Sequence, residues 1–135
     1  MPTRDQARAQ AAFATIQVYR NRPEKEKADY KSLALGLPAL IHDCGLCQTV
    51  AFLQAKAKKG EQHKRMLGDL CRMLLAQDED AGQDRLGSAV RAAELARYQQ
   101  LSMDALRCAE YLKRYAEAFL DAALPGANQQ ERRTA

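Results

Sequence analysis

A chain of 135 residues with 47% hydrophobic and 28% charged residues, no Trp, 7 Gly and 4 Pro has the usage of a helix-rich globular domain, which excludes disordered and fibrous classes. No apolar run approaches the roughly 20 residues of a membrane span, and the opening Met-Pro-Thr-Arg-Asp-Gln has no apolar signal-peptide core, so the expected location is cytoplasmic, away from membranes. The net charge of +4 is uneven: residues 1–77 carry 13 Lys/Arg against 7 Asp/Glu, residues 78–135 carry 8 against 10.

Thr3 and Gln6 form the pattern of a capping box, and Ala7, Ala11, Ala14 and Val18, with Phe13 and Ile16 beside them, predict an amphipathic helix running to about Arg20. It should stop before Pro23, because the residue preceding a proline disfavours helical angles. Tyr30, Leu33, Ala34 and Leu37 form a second, shorter stripe that Gly36 is expected to end. Pro38 suits the first turn of a new short helix, Ala39 to Asp43, which Gly45 then breaks. The expectation is a helical elbow over Pro38–Gly45, turning at Cys44-Gly45-Leu46.

Leu46, Val50, Leu53 and Ala57 continue at helical spacing, with Thr49 and Phe52 adjoining, as far as Gly60. Met66, Leu67, Leu70, Met73 and Leu74 mark the next helix. Gln77 to Asp84, with Asp78-Glu79-Asp80 and Gly82, reads as a solvated loop, its carboxylates sequential rather than convergent. Leu86, Val90, Ala93 and Leu95 predict a helix to about Gln100. Ser102 is then the expected N-cap of a last helix that buries Leu106, Ala109, Leu112, Tyr115, Ala116 and Phe119, closed by Pro125-Gly126. These elements predict an all-α, single-domain bundle of about six helices over residues 1–126, followed by a disordered polar tail over 127–135.

Cys44-Gly-Leu-Cys47 invites two chemical readings. A thioredoxin-type dithiol needs its C-x-x-C at a helix N-terminus following a strand, and no strand is predicted here. A zinc site needs four convergent ligands. His42 and His63 could be added to Cys44 and Cys47, but no second pair stands at ligand spacing. Cys71 and Cys108 fall within apolar periodicities as small buried hydrophobes. Motifs for serine hydrolases, phosphate loops and zinc proteases are missing, so neither metal, cofactor nor enzymatic activity is expected.

The basic residues remain: Arg4, Arg8, Arg20 and Arg22 on the first helix, Lys31 on the second, and Lys56, Lys58, Lys59, Lys64 and Arg65 around Gly60. Lysines near a helix end complement its dipole in any soluble protein. Clustered on one face they also hold phosphates, without reading base sequence.

Taken together, Tyr30-Lys31-Ser-Leu33, Gly36-Leu37-Pro38-Ala-Leu40-Ile41 and Gly45-Leu46-x-Gln48-Thr49-Val-Ala51-Phe52-Leu53-x-Ala-Lys56 resemble the small all-helical subunit of the type III-B CRISPR effector, the Cmr complex. The motifs cover residues 4 to 57 in order and spacing, and the remainder follows by helical pattern. Where this chain has Cys44 the family often has asparagine, and the position of Cys47 varies, so the C-x-x-C reads as two substitutions within a Gly-Leu elbow. The resemblance implies that Pro38, Gly45, Leu46, Gln48, Thr49 and Phe52 form a structural motif, with Leu46 and Phe52 packing and Gln48 and Thr49 hydrogen-bonding across the elbow or to a partner. It also implies a non-catalytic antiviral-defence subunit whose copies stack as an inner filament beside the guide-RNA backbone and help form the target-RNA groove, with other Cmr subunits, guide RNA and target RNA as partners. Charge and proximity to the motifs single out Arg20, Lys31, Lys56 and Lys59 as the RNA-binding residues. The alternatives are a stand-alone helical interaction or regulatory module, and the similar small subunit of the type III-A complex.

Overall fold

A computed structural model describes residues 1–75 and 84–120. Among them are six helices and no strand: α1 (Arg4–Tyr19), α2 (Glu24–Cys44), α3 (Leu46–Ala57), α4 (Glu61–Leu75), α5 (Arg85–Ala92) and α6 (Leu95–Phe119). This is the expected all-α bundle. The expected loop from Gln77 lies outside the described residues except for Asp84, as do the Pro125-Gly126 stop and the tail 127–135.

The long α6, about 37 Å at 1.5 Å per residue, is the spine on which α1 and α2 pack. α1 runs parallel to it: Arg8 in the first half of α1 is ion-paired with Asp104 in the first half of α6, and Phe13 meets Tyr115 and Phe119 further along. α2 runs antiparallel, bringing its end at Gly45 to Tyr98. α3 and α4 form a helical hairpin against α2, and α5 folds back along α3, where the Gln54 amide donates to Asp84.

α1 begins as expected, with the Gln6 amide donating to Thr3 Oγ1 at 3.0 Å and the Thr3 amide to Gln6 Oε1 at 2.8 Å. Its buried face, however, is Ala12, Thr15, Ile16 and Tyr19, while Val18 is 57% and Phe13 41% exposed. The helix is rotated from the expected stripe because Thr15 and Tyr19 find partners inside. The Tyr19 and Tyr30 hydroxyls both donate to Asp69 Oδ2 at 2.7 Å, their rings stacked at 3.8 Å. The Arg72 guanidinium bonds Asp69 Oδ1 at 3.0 Å and Thr15 Oγ1 at 3.1 Å. An apolar periodicity scores such residues as polar, although a paired polar group is acceptable in a core.

α2 is one continuous helix, where the sequence suggested two. Gly36 and Pro38 both lie within it. Proline there removes the amide that would bond Ala34 and crowds that carbonyl, at a cost of about 3 kcal/mol. Burial of Tyr30, Ala34, Leu37 and Ile41 along a single stripe, at about 1.5–3 kcal/mol for each large side chain, offsets it. The turn of the elbow is therefore confined to Gly45. Its amide closes α2 on Ile41 O at 2.9 Å, and its carbonyl opens α3 by accepting the Thr49 amide at 3.0 Å and Thr49 Oγ1 at 2.8 Å. One residue joins two helices.

The last break is also displaced. Ala93 and Glu94 are extended, α6 starts at Leu95, and Ser102, the expected cap, lies inside it, its hydroxyl buried and without a partner among the described residues. The earlier start places Tyr98 at the elbow, where its hydroxyl accepts the Cys47 amide at 3.1 Å, one of the first-turn donors that α3 cannot bond internally. Such a long-range contact has no local signature.

Gly45 adopts φ +83° and ψ 165°, a region essentially reserved for glycine, although an added Cβ would meet only Tyr98 Oη at an ordinary 3.8 Å. Gly45→Ala is expected to cost about 1–3 kcal/mol through backbone strain alone, read as a lowered urea midpoint at unchanged m. Burial, then the charge of Asp69, raises the pKa of both Tyr19 and Tyr30 above the ordinary 10.0. A raised folded-state pKa contributes stability that is complete below pH 10 and is lost as the pH climbs toward the folded-state value. In an alkaline titration these two phenolates should therefore appear together with loss of helical circular dichroism; phenolate formed by both in the intact fold would contradict the assignment.

Candidate nucleic-acid interface

The basic residues divide between two places. Around the α3–α4 turn, Lys56, Lys58, Lys59 and Lys64 are exposed. The carboxylates of this end are engaged by other cations: Arg65 bonds Glu26 at 3.1 Å and approaches Glu61 at 3.9 Å, and Lys25 lies 3.5 Å from Asp29. The four lysines have no ion pair among the described residues. Lys56 and Lys59 share one turn, the Lys59 amide donating to Lys56 O at 3.0 Å. Lys31 is half-buried on α2, two residues beyond Asp29 and so on another side of the helix. Arg20 stands apart from these: its guanidinium bonds Gln17 Oε1 at 3.1 Å and lies 5.6 Å over the Phe119 ring.

The elbow motif separates by depth. Leu46 and Thr49 are fully buried, and Pro38 is half-buried within α2. Gln48 is exposed, leaving its amide for outward contacts. Phe52, expected to pack inside, is 36% exposed. It faces outward because Leu46, Val50 and Leu53 already fill the inner face of α3. Its ring meets His63 edge-on at 5.8 Å and has the Lys56 ammonium 6.0 Å from its centroid. Sequence reasoning misses this grouping, though the Phe52–Lys56 spacing of one helical turn is a visible signal. It also misses the aromatic cluster of Phe13, Tyr115 and Phe119, because the α1 stripe puts Phe13 beside the buried face.

The cysteines are all free thiols. Cys44 is exposed and Cys47 half-buried, its thiol 3.7 Å from Val90 O; among the described residues no three His, Cys, Asp or Glu converge as metal ligands. Cys108 is buried, which pushes its thiol up to about 11. None of the described helices is long and apolar enough to cross a membrane.

The described residues thus form an all-helical bundle with an exposed lysine cluster at one turn, and the class of protein that shares this bundle is defined by its relatives. The model of the CRISPR-associated protein family Cas_Cmr5 matches residues 4–119. A CRISPR system Cmr subunit Cmr5 from Thermus thermophilus is 35% identical over 122 residues, covering 90% of this chain and 99% of the relative. The X-ray structure of a Cmr5 family protein from the same organism superposes with a TM-score of 0.77 at 32% identity, covering 90% of this chain and all of the other. The chain belongs to the Cmr5 family, the small-subunit family of the Cmr CRISPR complex. The resemblance drawn from residues 4 to 57 is thus established over almost the whole described chain.

Burial and then the Lys56 charge lower the pKa of His63 below its ordinary 6.5, against an opposing pull from Asp29. Lys56→Gln should move the His63 midpoint upward in an NMR titration of its ring protons. An unchanged midpoint would show that the ammonium does not sit over this site.

Proposed function

We propose that this chain is the non-catalytic small subunit of a type III-B Cmr effector, its copies stacking as an inner filament beside the guide-RNA backbone and helping to form the groove for target RNA in the cytoplasm. The observation that carries the RNA part is the set of exposed lysines at the α3–α4 turn with no ion-pair partners among the described residues, beside carboxylates that are already engaged. A charge cluster left open in this way attracts a polyanion, and it gives sequence-independent contact, as a guide-directed complex requires.

The protein contacts have support of another kind. Val18, Leu95 and Met103 are 57%, 73% and 52% exposed, apolar side chains that the bundle itself does not cover. They lie on α1 and α6, whereas the lysine cluster lies at the α3–α4 turn. The relative's description as a Cmr subunit supports the same assembly. Arg20, Lys31, Lys56 and Lys59 are the phosphate-contacting residues in this reading, with Lys56 and Lys59 at its centre and Arg20 and Lys31 as separate contacts.

Changing all four to Glu should weaken target-RNA binding by the reconstituted complex at least about tenfold and flatten its salt dependence by roughly 0.7 log units per lost phosphate contact. Unchanged affinity in a complex shown by mass spectrometry to retain the subunit would reject the assignment.

A further inference from the structure

The exposed face of α3 carries Gln48, Phe52 and Lys56 at successive four-residue intervals, with Lys59 in line just beyond the helix end. At 1.5 Å per residue the row is about 16 Å long. Its order is a side-chain amide, an aromatic ring and two cations. Ala51 and Ala55 beside the ring are exposed and small, so nothing large stands over it from its own helix. The only ring packed on Phe52 among the described residues is His63, in a T-shaped pair at 5.8 Å with the planes at 73°, and the Phe52 side chain remains 36% exposed and so within reach of a flat ligand. Lys56 hovers 6.0 Å from the centroid, a loose cation–π contact that a phosphate would readily replace.

The other exposed aromatics differ. Phe13 packs edge to face on Tyr115 and on Phe119, and Arg20 lies over Phe119, so that cluster is closed on itself.

We infer that Phe52 is a base-stacking platform for single-stranded RNA, with Lys56 and Lys59 holding successive phosphates to one side of the stacked nucleotide and Gln48, on the other side, placed to bond a base edge. This rests on the RNA-contact reading above and deepens it: the site takes unpaired bases as well as backbone charge. Charge favours RNA over a protein partner, because two cations without ion-pair partners among the described residues follow the ring along the row. Stacking on an aromatic face is tolerant of sequence, since every base presents a π face.

The test is fluorescence anisotropy on the full-length chain with two labelled oligomers of equal length, oligo(U) and its abasic ribose-phosphate counterpart, across a salt series. Wild type should prefer oligo(U). Phe52→Leu should reduce oligo(U) affinity about tenfold, as loss of one stacked base implies, and leave the abasic oligomer unchanged, with Phe52→Trp restoring the preference. Lys56→Gln with Lys59→Gln should weaken both oligomers equally and lower the salt slope by about 1.4. Equal affinity of wild type for the two oligomers, or equal loss of both in Phe52→Leu, overturns the stacking site. If the lysine pair still matters in that case, the phosphate reading stands without it. No measurable binding of either oligomer overturns both.

Discussion

The carboxylate of Asp69 holds three helices at one point. It lies on α4, only 8% exposed, and receives hydroxyls from Tyr19 on α1 and Tyr30 on α2, while Arg72 ties its other oxygen to Thr15. A buried carboxylate is costly alone, and here each oxygen is bonded. Removing it would strand two phenol hydroxyls at about 1–3 kcal/mol each, and directionality lets the group specify what apolar contacts leave loose. It sets the rotation of α1, and that rotation decides which residues of α1 remain outside.

The elbow at Gly45 acts on the opposite end of α2 by a different means. Positive φ at one residue lets α3 leave α2 without an intervening loop, and Tyr98 then covers the turn. Direction is set by backbone conformation here and by side-chain bonding at Asp69. Between these two fixed points α3 is held so that one side is core and the other carries Gln48, Phe52, Lys56 and Lys59. The outward row is a product of the same turn that buries Leu46 and Thr49.

Much of this was legible in the sequence, and the boundaries of legibility have physical causes. Helix number, the capping box, the turn at Gly45 and the inner face of α3 were readable because local spacing and φ preference determine them. The family was readable because its motifs cluster around that turn. The face of α1 was misassigned because Tyr19 and Thr15 are buried through partners fifty or more residues away. The continuity of α2 through Pro38 and the start of α6 at Leu95 were missed for a related reason: tertiary contacts outweigh the local breaker in one case and the local cap in the other. At the candidate interface the charges could be read one by one, but which lysines lacked a carboxylate depended on Arg65 and Lys25 taking the acids first.

The parallel seating of α1 on α6 has a further consequence for how the molecule comes into being. α1 leaves the ribosome before the other five helices, yet its ion pair and ring contacts are with residues around a hundred positions later. Until α6 is synthesised, the Arg8 and Phe13 side of α1 lacks that long-range partner, while Tyr19 can already meet Tyr30 and Asp69 and the α3–α4 hairpin, closed over a short turn, can form. The Asp69 junction of α1, α2 and α4 therefore needs only the first half of the chain, and α6, arriving last, closes over the side of α1 that this junction leaves uncovered.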